Sequence, residues 1–422
     1  MAIAIAVIAV AVRFYVLWRT HFTAPEAHIA LQYAENIAAG RGFVYNIGDH
    51  VFAVNGPLYS LMLSLISSPS SHLNPIFVGK ACSIAADGVT CYLLARLLAL
   101  KDIARPVEGL FASALYSFSS LPVVISISGT ETGLAVCVGM AMVYAYVSGR
   151  PYWLYTLGAV LFLIRYDGLM LFATLAAALA IRERKFQLRP GAIALIIIIP
   201  WLIFSMAYFG SPIPHPLSTQ PYGFTQNVTT DTSLTKANVH SLTTQFLEGW
   251  IPCALAFLFA LGAILVMCQA IIRRERGVMV APMLWCGISV GLVFVARWPV
   301  GMSYYAPVWP VYLAVATLAA ATAPIKFAKM RPDLAASWAG RAVPAALAAL
   351  LFIGITQINI IILDVATLQA VEATRSQYQR LGMSRWEYLS RGSSEGNTLP
   401  QSAIMLNSPK ANNTTDTSRS AE

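Results

Sequence analysis

The chain has 422 residues, 57% of them hydrophobic and only 11% charged, with a formal net charge of +9. Soluble domains carry about 25% charged residues, so this composition excludes a water-soluble surface and implies a backbone that satisfies itself in helices within lipid. The basic residues sit in short loops between apolar runs, where they read as topology signals, and no basic stripe with interleaved aromatics points to a nucleic-acid partner.

Residues 1–18 are apolar, with no basic segment ahead of them and no small-residue cleavage site behind, and are expected to remain as a first span. In the segment that follows, Ile29, Tyr33 and Ile37 recur every four residues, predicting an amphipathic helix over 24–39. Pro25 suits its first turn, and Gly40 and Gly42 end it. Residues 57–66 are apolar but too short to cross a bilayer, so they read as an interfacial helix. Residues 81–100 form the second span.

Beyond it, 111–147 has room for two spans turning outside near 128–131. The run 152–181 is interrupted by Arg165, Tyr166 and Asp167. A single helix there would put Arg150 and Arg182 on opposite sides, so a hairpin turning outside at 165–167 is expected. Spans follow at 192–208, 251–272, 278–296, 304–318 and 343–363. Basic loops at 101–105, 182–189, 273–276 and 326–341 then fall on the cytoplasmic side with Arg150. The expectation is an all-α polytopic membrane protein of about eleven spans. Its N-terminus is inside and its C-terminus outside. Residues 1–363 form the transmembrane domain, with outer loops 19–80 and 210–250, and a polar, partly disordered tail covers 364–422. The six cysteines (Cys82, Cys91, Cys137, Cys253, Cys268 and Cys286) lie in or beside apolar runs without metal or redox spacing and read as small buried hydrophobes.

Glu26 stands at a helix start just above the membrane. A carboxylate there either deprotonates an acceptor hydroxyl or only complements the helix dipole, and residue chemistry alone leaves both open. Around it the first outer loop carries Glu26, Ala27, Tyr33, Asn36, Gly40, Gly42, Val44, Asn46, Gly48, Pro57 and Leu58. In order and spacing these resemble the signature of GT-C-type glycosyltransferases, in particular the branch with the mycobacterial cell-wall arabinofuranosyltransferases. Gly129-Thr130-Glu131-Thr132, Arg165-Tyr166-Asp167-Gly168, the 208–215 segment ending in His215, and Arg297 followed by Tyr304-Tyr305-Ala306-Pro307 resemble later motifs of that family. All of these fall on the expected outer face.

The resemblance implies a GT-C-like fold, a polyprenyl-phosphate sugar donor, inverting transfer, and an extracytoplasmic glycan, lipid or protein as acceptor, in a bacterial inner membrane. Glu26 becomes the candidate base. Arg165, Arg297 and Arg13 are the candidates to hold the donor phosphate, since guanidinium matches phosphate oxygens bidentately; snorkelling to the interface is the structural alternative. His28, Tyr33, Asn36, Asn55, Glu131, Asp167, His215, Gln220 and Tyr305 are candidate substrate contacts. Asp167 is also a natural partner for Arg165. His50 sits where sugar contacts are plausible, and Asp87 inside the second span is either functional or a helix-packing hydrogen bonder.

The sequence departs from the family pattern at several points. Pro25 replaces the first acidic residue, Gln32 an arginine, His215 an asparagine, and Gln220 lies near an expected lysine. A lone carboxylate is a poor divalent-metal site, so no metal cofactor is expected. The competing readings are a transporter or flippase, which needs polar midplane residues and broken helices, and a catalytically degenerate relative.

Overall fold

In the computed structural model, which describes residues 1–48, 50–66, 74–100, 106–212, 279–295, 303, 306–315 and 317, the apolar runs are helical and no strand occurs among the described residues. In chain order the helices are α1 (Ala2–Thr20), α2 (Pro25–Ala38), α3 (Pro57–Ile66), α4 (Pro75–Leu98), α5 (Pro106–Ser117), α6 (Ser120–Ile127), α7 (Thr132–Val147), α8 (Pro151–Ile164), α9 (Gly168–Glu183), α10 (Leu188–Phe209) and α11 (Val280–Val295). Proline opens α2, α3, α4, α5 and α8. Its fixed φ suits the first helical position, where the missing N–H would have no partner anyway.

The amphipathic helix, the interfacial helix and both hairpin turns stand where the sequence places them. The second span does not begin at residue 81. It begins at Pro75, because Asn74 Oδ1 accepts hydrogen bonds from the backbone N–H of Ile76 and Phe77 at 3.0 and 3.3 Å, capping the helix. Lys80 therefore lies inside α4 rather than at a loop end. The span expected to begin at 111 begins at Pro106 and is broken: α5 and α6 meet at a 57° bend. Pro122, in the first turn of α6, has no N–H to give the carbonyl of Phe118. The expected spans 251–272 and 343–363, the tail, and the basic loops 101–105, 273–276 and 326–341 lie outside the described residues.

Surface and interior invert the pattern of a soluble protein. On α1 only Ala9, Arg13 and Leu17, four residues apart, are buried, while Ile3, Val7, Phe14, Tyr15 and Trp18 are exposed. On α10, Leu195, Ile196, Ile199 and Ile203 face outward. Apolar surface of this extent is covered by lipid, and α1, α4 and α10 are long and apolar enough to cross a membrane. Lipid removes the hydrophobic drive between helices, so close contact must hold them together. α4 packs against α1, α5 and α7, and α8 against α7, α9 and α10. Gly133 of α7 lies against Ser83 of α4 so closely that a Cβ would collide with the serine hydroxyl.

A buried polar knot ties α1, α4 and α5. Arg13, a candidate for the donor phosphate, is 0% exposed. Its Nε donates to Asp87, and its Nη1 donates to the carbonyls of Ala9 at 3.1 Å and Ser117 at 2.8 Å. Tyr116 Oη donates to the other Asp87 oxygen at 2.6 Å. Ser117 ends α5 at the bend, so Arg13 supplies a donor to a carbonyl next to the helix break.

Helix direction alternates, which sorts the loops. The 128–131 turn, the 165–167 turn, the α1–α2 linker and the end of α10 gather at one end, joined by contacts described below. The opposite end carries Arg150, Arg182, Arg184 and Lys185, with the Arg182 guanidinium 5.1 Å from the centre of the Tyr146 ring.

Candidate active site

The turn between α6 and α7 is the hub. Gly129 makes it with φ +82°, a conformation that side chains disfavour. Glu131 then stands at the N-terminus of α7, where the helix dipole favours a carboxylate. Its Oε1 accepts from Asn55 Nδ2 at 2.8 Å and from Arg165 Nη1 at 3.3 Å. Arg165 ends α8 in extended backbone (φ −150°, ψ 124°), which turns its side chain from the helix end toward α7. Nη1 also donates to Thr132 Oγ1 at 2.9 Å. Nε and Nη2 donate to the two oxygens of Asp167 at 3.0 and 2.8 Å, a bidentate pair. The guanidinium side chain is only 3% exposed, that of Asp167 36%. Enclosure opposes the charge on Asp167. The Arg165 charge, its hydrogen bonds and backbone N–H groups outweigh that and hold the carboxyl below its ordinary value. Asn55 is held in turn: its carbonyl accepts from the Tyr166 N–H at 3.1 Å, and Gly56 lies against the Ile164 carbonyl with no room for a Cβ.

The start of α2 is tied to the same hub. Ala24 N–H donates to the Ser128 carbonyl at 2.9 Å, Tyr59 Oη donates to the Gly129 carbonyl at 2.6 Å, and Ala27 packs on Gly129. Glu26 projects from this helix start into solvent, with no hydrogen bond or ion pair to another described residue. His28 is also exposed. Partial enclosure, and after it the charge of Lys80, hold its imidazole below the ordinary histidine value. Lys80, on α4, is 5% exposed, and its Nζ donates to the Phe22 carbonyl at 2.5 Å and Thr23 Oγ1 at 2.6 Å.

The sequence candidates thus divide. Asn55, Glu131, Arg165 and Asp167 touch one another, and Glu26 and His28 stand on the helix start anchored beside them. Tyr33 and Asn36 are buried and hold the glycine segment in shape. Tyr33 Oη donates to the Val51 carbonyl at 2.6 Å and accepts from Ala53 N–H at 3.1 Å. Asn36 Nδ2 donates to the carbonyls of Val44 and Tyr45 at 2.7 and 2.9 Å. Behind them Phe52 stacks on Phe209 with ring centres 4.9 Å apart, and His50 lies 4.2 Å from the Tyr208 ring, fastening the first loop to the end of α10. His215, Gln220, Arg297 and Tyr305 lie outside the described residues. Sequence reasoning did not single out Tyr59, Thr132 or Lys80 as site residues. The one signal for Lys80 is a cation set among apolar residues.

No protein-family profile matches the chain, and no curated protein matches it in sequence. Solved structures do match. ArnT from Cupriavidus metallidurans, in its form bound to undecaprenyl phosphate, aligns over 89% of this chain and 79% of its own, with TM-score 0.52 and 15% identity. Its apo form aligns over 88% of this chain and 78% of its own, with TM-score 0.50 and 13% identity. At these identities the likeness speaks to architecture: the chain has an all-α membrane fold like that of ArnT.

Proposed function

We propose that the chain is a membrane glycosyltransferase that moves a sugar from a polyprenyl-phosphate carrier to an extracytoplasmic acceptor with inversion. The observation that carries this reading is the gathering of Glu26, Asn55, Glu131, Arg165 and Asp167 around one turn at one end of the helical bundle. That end is read as the outer face of a bacterial inner membrane, because Arg150 and the basic 182–189 loop occupy the other. The GT-C fold of ArnT, which was solved with undecaprenyl phosphate bound, supports the donor class. The first-loop motif favours a relative of the arabinofuranosyltransferases within that fold.

The chemistry selects among the carboxylates. Both oxygens of Asp167 accept from Arg165, and Glu131 Oε1 accepts from Asn55 and Arg165, so both carboxylates are committed to holding the turns together. Glu26 is unoccupied. In this reading it removes the proton from the acceptor hydroxyl. The acceptor oxygen then attacks the anomeric carbon from the face opposite the phosphate. As the new bond forms, the carbon–oxygen bond to phosphate breaks, and polyprenyl monophosphate leaves with the electron pair. Arg165 is committed to Asp167, Glu131 and Thr132, and Arg13 is fully enclosed beside Asp87 and the carbonyls of Ala9 and Ser117, so this reading assigns the leaving phosphate to the remaining sequence candidate, Arg297. Arg165 instead holds the Glu131–Asp167 pair in place for the sugar or acceptor.

The test is turnover by the purified chain in liposomes with a panel of polyprenyl-phosphate pentoses and hexoses. Glu26→Gln is expected to slow release of polyprenyl phosphate by about 100-fold or more, the usual contribution of a general base. Turnover intact in this variant would remove Glu26 as base. A flippase is the second reading, favoured by the break between α5 and α6. It predicts that the lipid-linked sugar crosses the membrane uncleaved.

A further inference from the structure

We infer that Lys80 is a positioning residue for Glu26: its buried ammonium fixes the α1–α2 linker and thereby sets where the carboxylate stands. The inference rests on the reading of Glu26 as base.

Three observations lead to it. First, the start of α2 has no side-chain cap of its own, and Glu26 has no partner among the described residues. Packing of Ala27 and the later turns holds the helix body, and what clamps the linker ahead of it bears on where its first turn and Glu26 stand. Second, Lys80 is a main part of that clamp. Its Nζ holds the Phe22 carbonyl and the Thr23 hydroxyl, four and three residues before Glu26. Its stem supports the Gly129 turn, where a Cβ added at Gly129 would stand 3.4 Å from Lys80 Cε. That turn in turn takes the Ala24 N–H through Ser128. Third, a cation is a costly way to fill the space. No carboxylate of a described residue pairs with Lys80, and a buried ammonium facing only neutral acceptors is harder to keep than an apolar side chain of the same shape. What the ammonium supplies that an apolar chain cannot is directed bonds to two consecutive linker residues.

The test compares the full-length chain in nanodiscs with Lys80→Met, which keeps the stem, Lys80→Arg, which keeps the donors, and Thr23→Val, which removes one acceptor. Hydrogen exchange is read over residues 22–30. Lys80→Met is expected to speed it by about tenfold there, with α7 unchanged, because the linker opens locally. Turnover is expected to lose about 100-fold in kcat, as small misplacements of a reacting group do, with KM for the donor little changed. Lys80→Arg restores both, and Thr23→Val moves both part of the way. If Lys80→Met unfolds, Thr23→Val decides. Unchanged exchange in Lys80→Met and Thr23→Val overturns the inference. So does a raised KM with intact kcat, which would make the ammonium a phosphate ligand. A wild-type chain that transfers no sugar overturns the proposed function instead, and exchange alone then settles Lys80.

Discussion

Arg165 shows how a residue suited to phosphate can serve a different purpose. Its guanidinium joins a carboxylate at the start of α7 to one at the start of α9, with a threonine hydroxyl between. Replacing it by methionine leaves both carboxylates without their shared cation, and breaking a buried pair in this way costs about 3–5 kcal/mol. Thermal unfolding in detergent should register that loss, and Arg165→Lys should recover only part of it, because an ammonium cannot hold Asp167 bidentately. The same pair predicts a pH dependence. Asp167 ionises more readily in the fold than in the unfolded chain. Its contribution is therefore fully present above the ordinary carboxylate value near about 3.9 and is lost as pH falls through the lower folded value. The unfolding temperature should drop below about pH 4, and Asp167→Asn should lack that share of the drop.

At the level of helices, the Arg13–Asp87 knot decides how α1, α4 and α5 meet. Either single change, Arg13→Met or Asp87→Leu, strands a charge away from water and should destabilise by about 3–5 kcal/mol, whereas the double change should cost far less. A double-mutant cycle on thermal unfolding reads this directly. Much of the helical layout was legible beforehand. The hairpin at 165–167 follows from Arg150 and Arg182 needing the same side, and α3 from an apolar run too short to span. Two features were not. The early start of α4 depends on Asn74 and Pro75 acting together as a cap, a signal weaker than the loss of polarity at residue 81. The α5–α6 break comes from one proline early in α6 within an otherwise continuous apolar run. The site was legible residue by residue, since Asn55, Glu131, Arg165 and Asp167 each stand in a motif. Their mutual contact was not, because it depends on how three turns meet. Lys80 escaped notice because a single cation at the edge of an apolar run reads as a loop boundary until the helix is seen to enclose it.

At the scale of the molecule, the two ends of the bundle differ in kind. One carries the described motif turns, the first-loop helices and the exposed Glu26; the other carries Arg150 and the basic 182–189 loop. In the proposed function, a bundle arranged this way keeps an isoprenoid tail in lipid while its sugar-phosphate head meets the turns at the interface. The central claim is that a glycosidic phosphate bond is broken there by direct displacement. Transfer in proteoliposomes followed by NMR of the anomeric centre tests it most directly. The account predicts a product of inverted configuration, formed one for one with released polyprenyl phosphate. Retained configuration, or a lipid-linked sugar that changes leaflet with its phosphate bond intact, would contradict it.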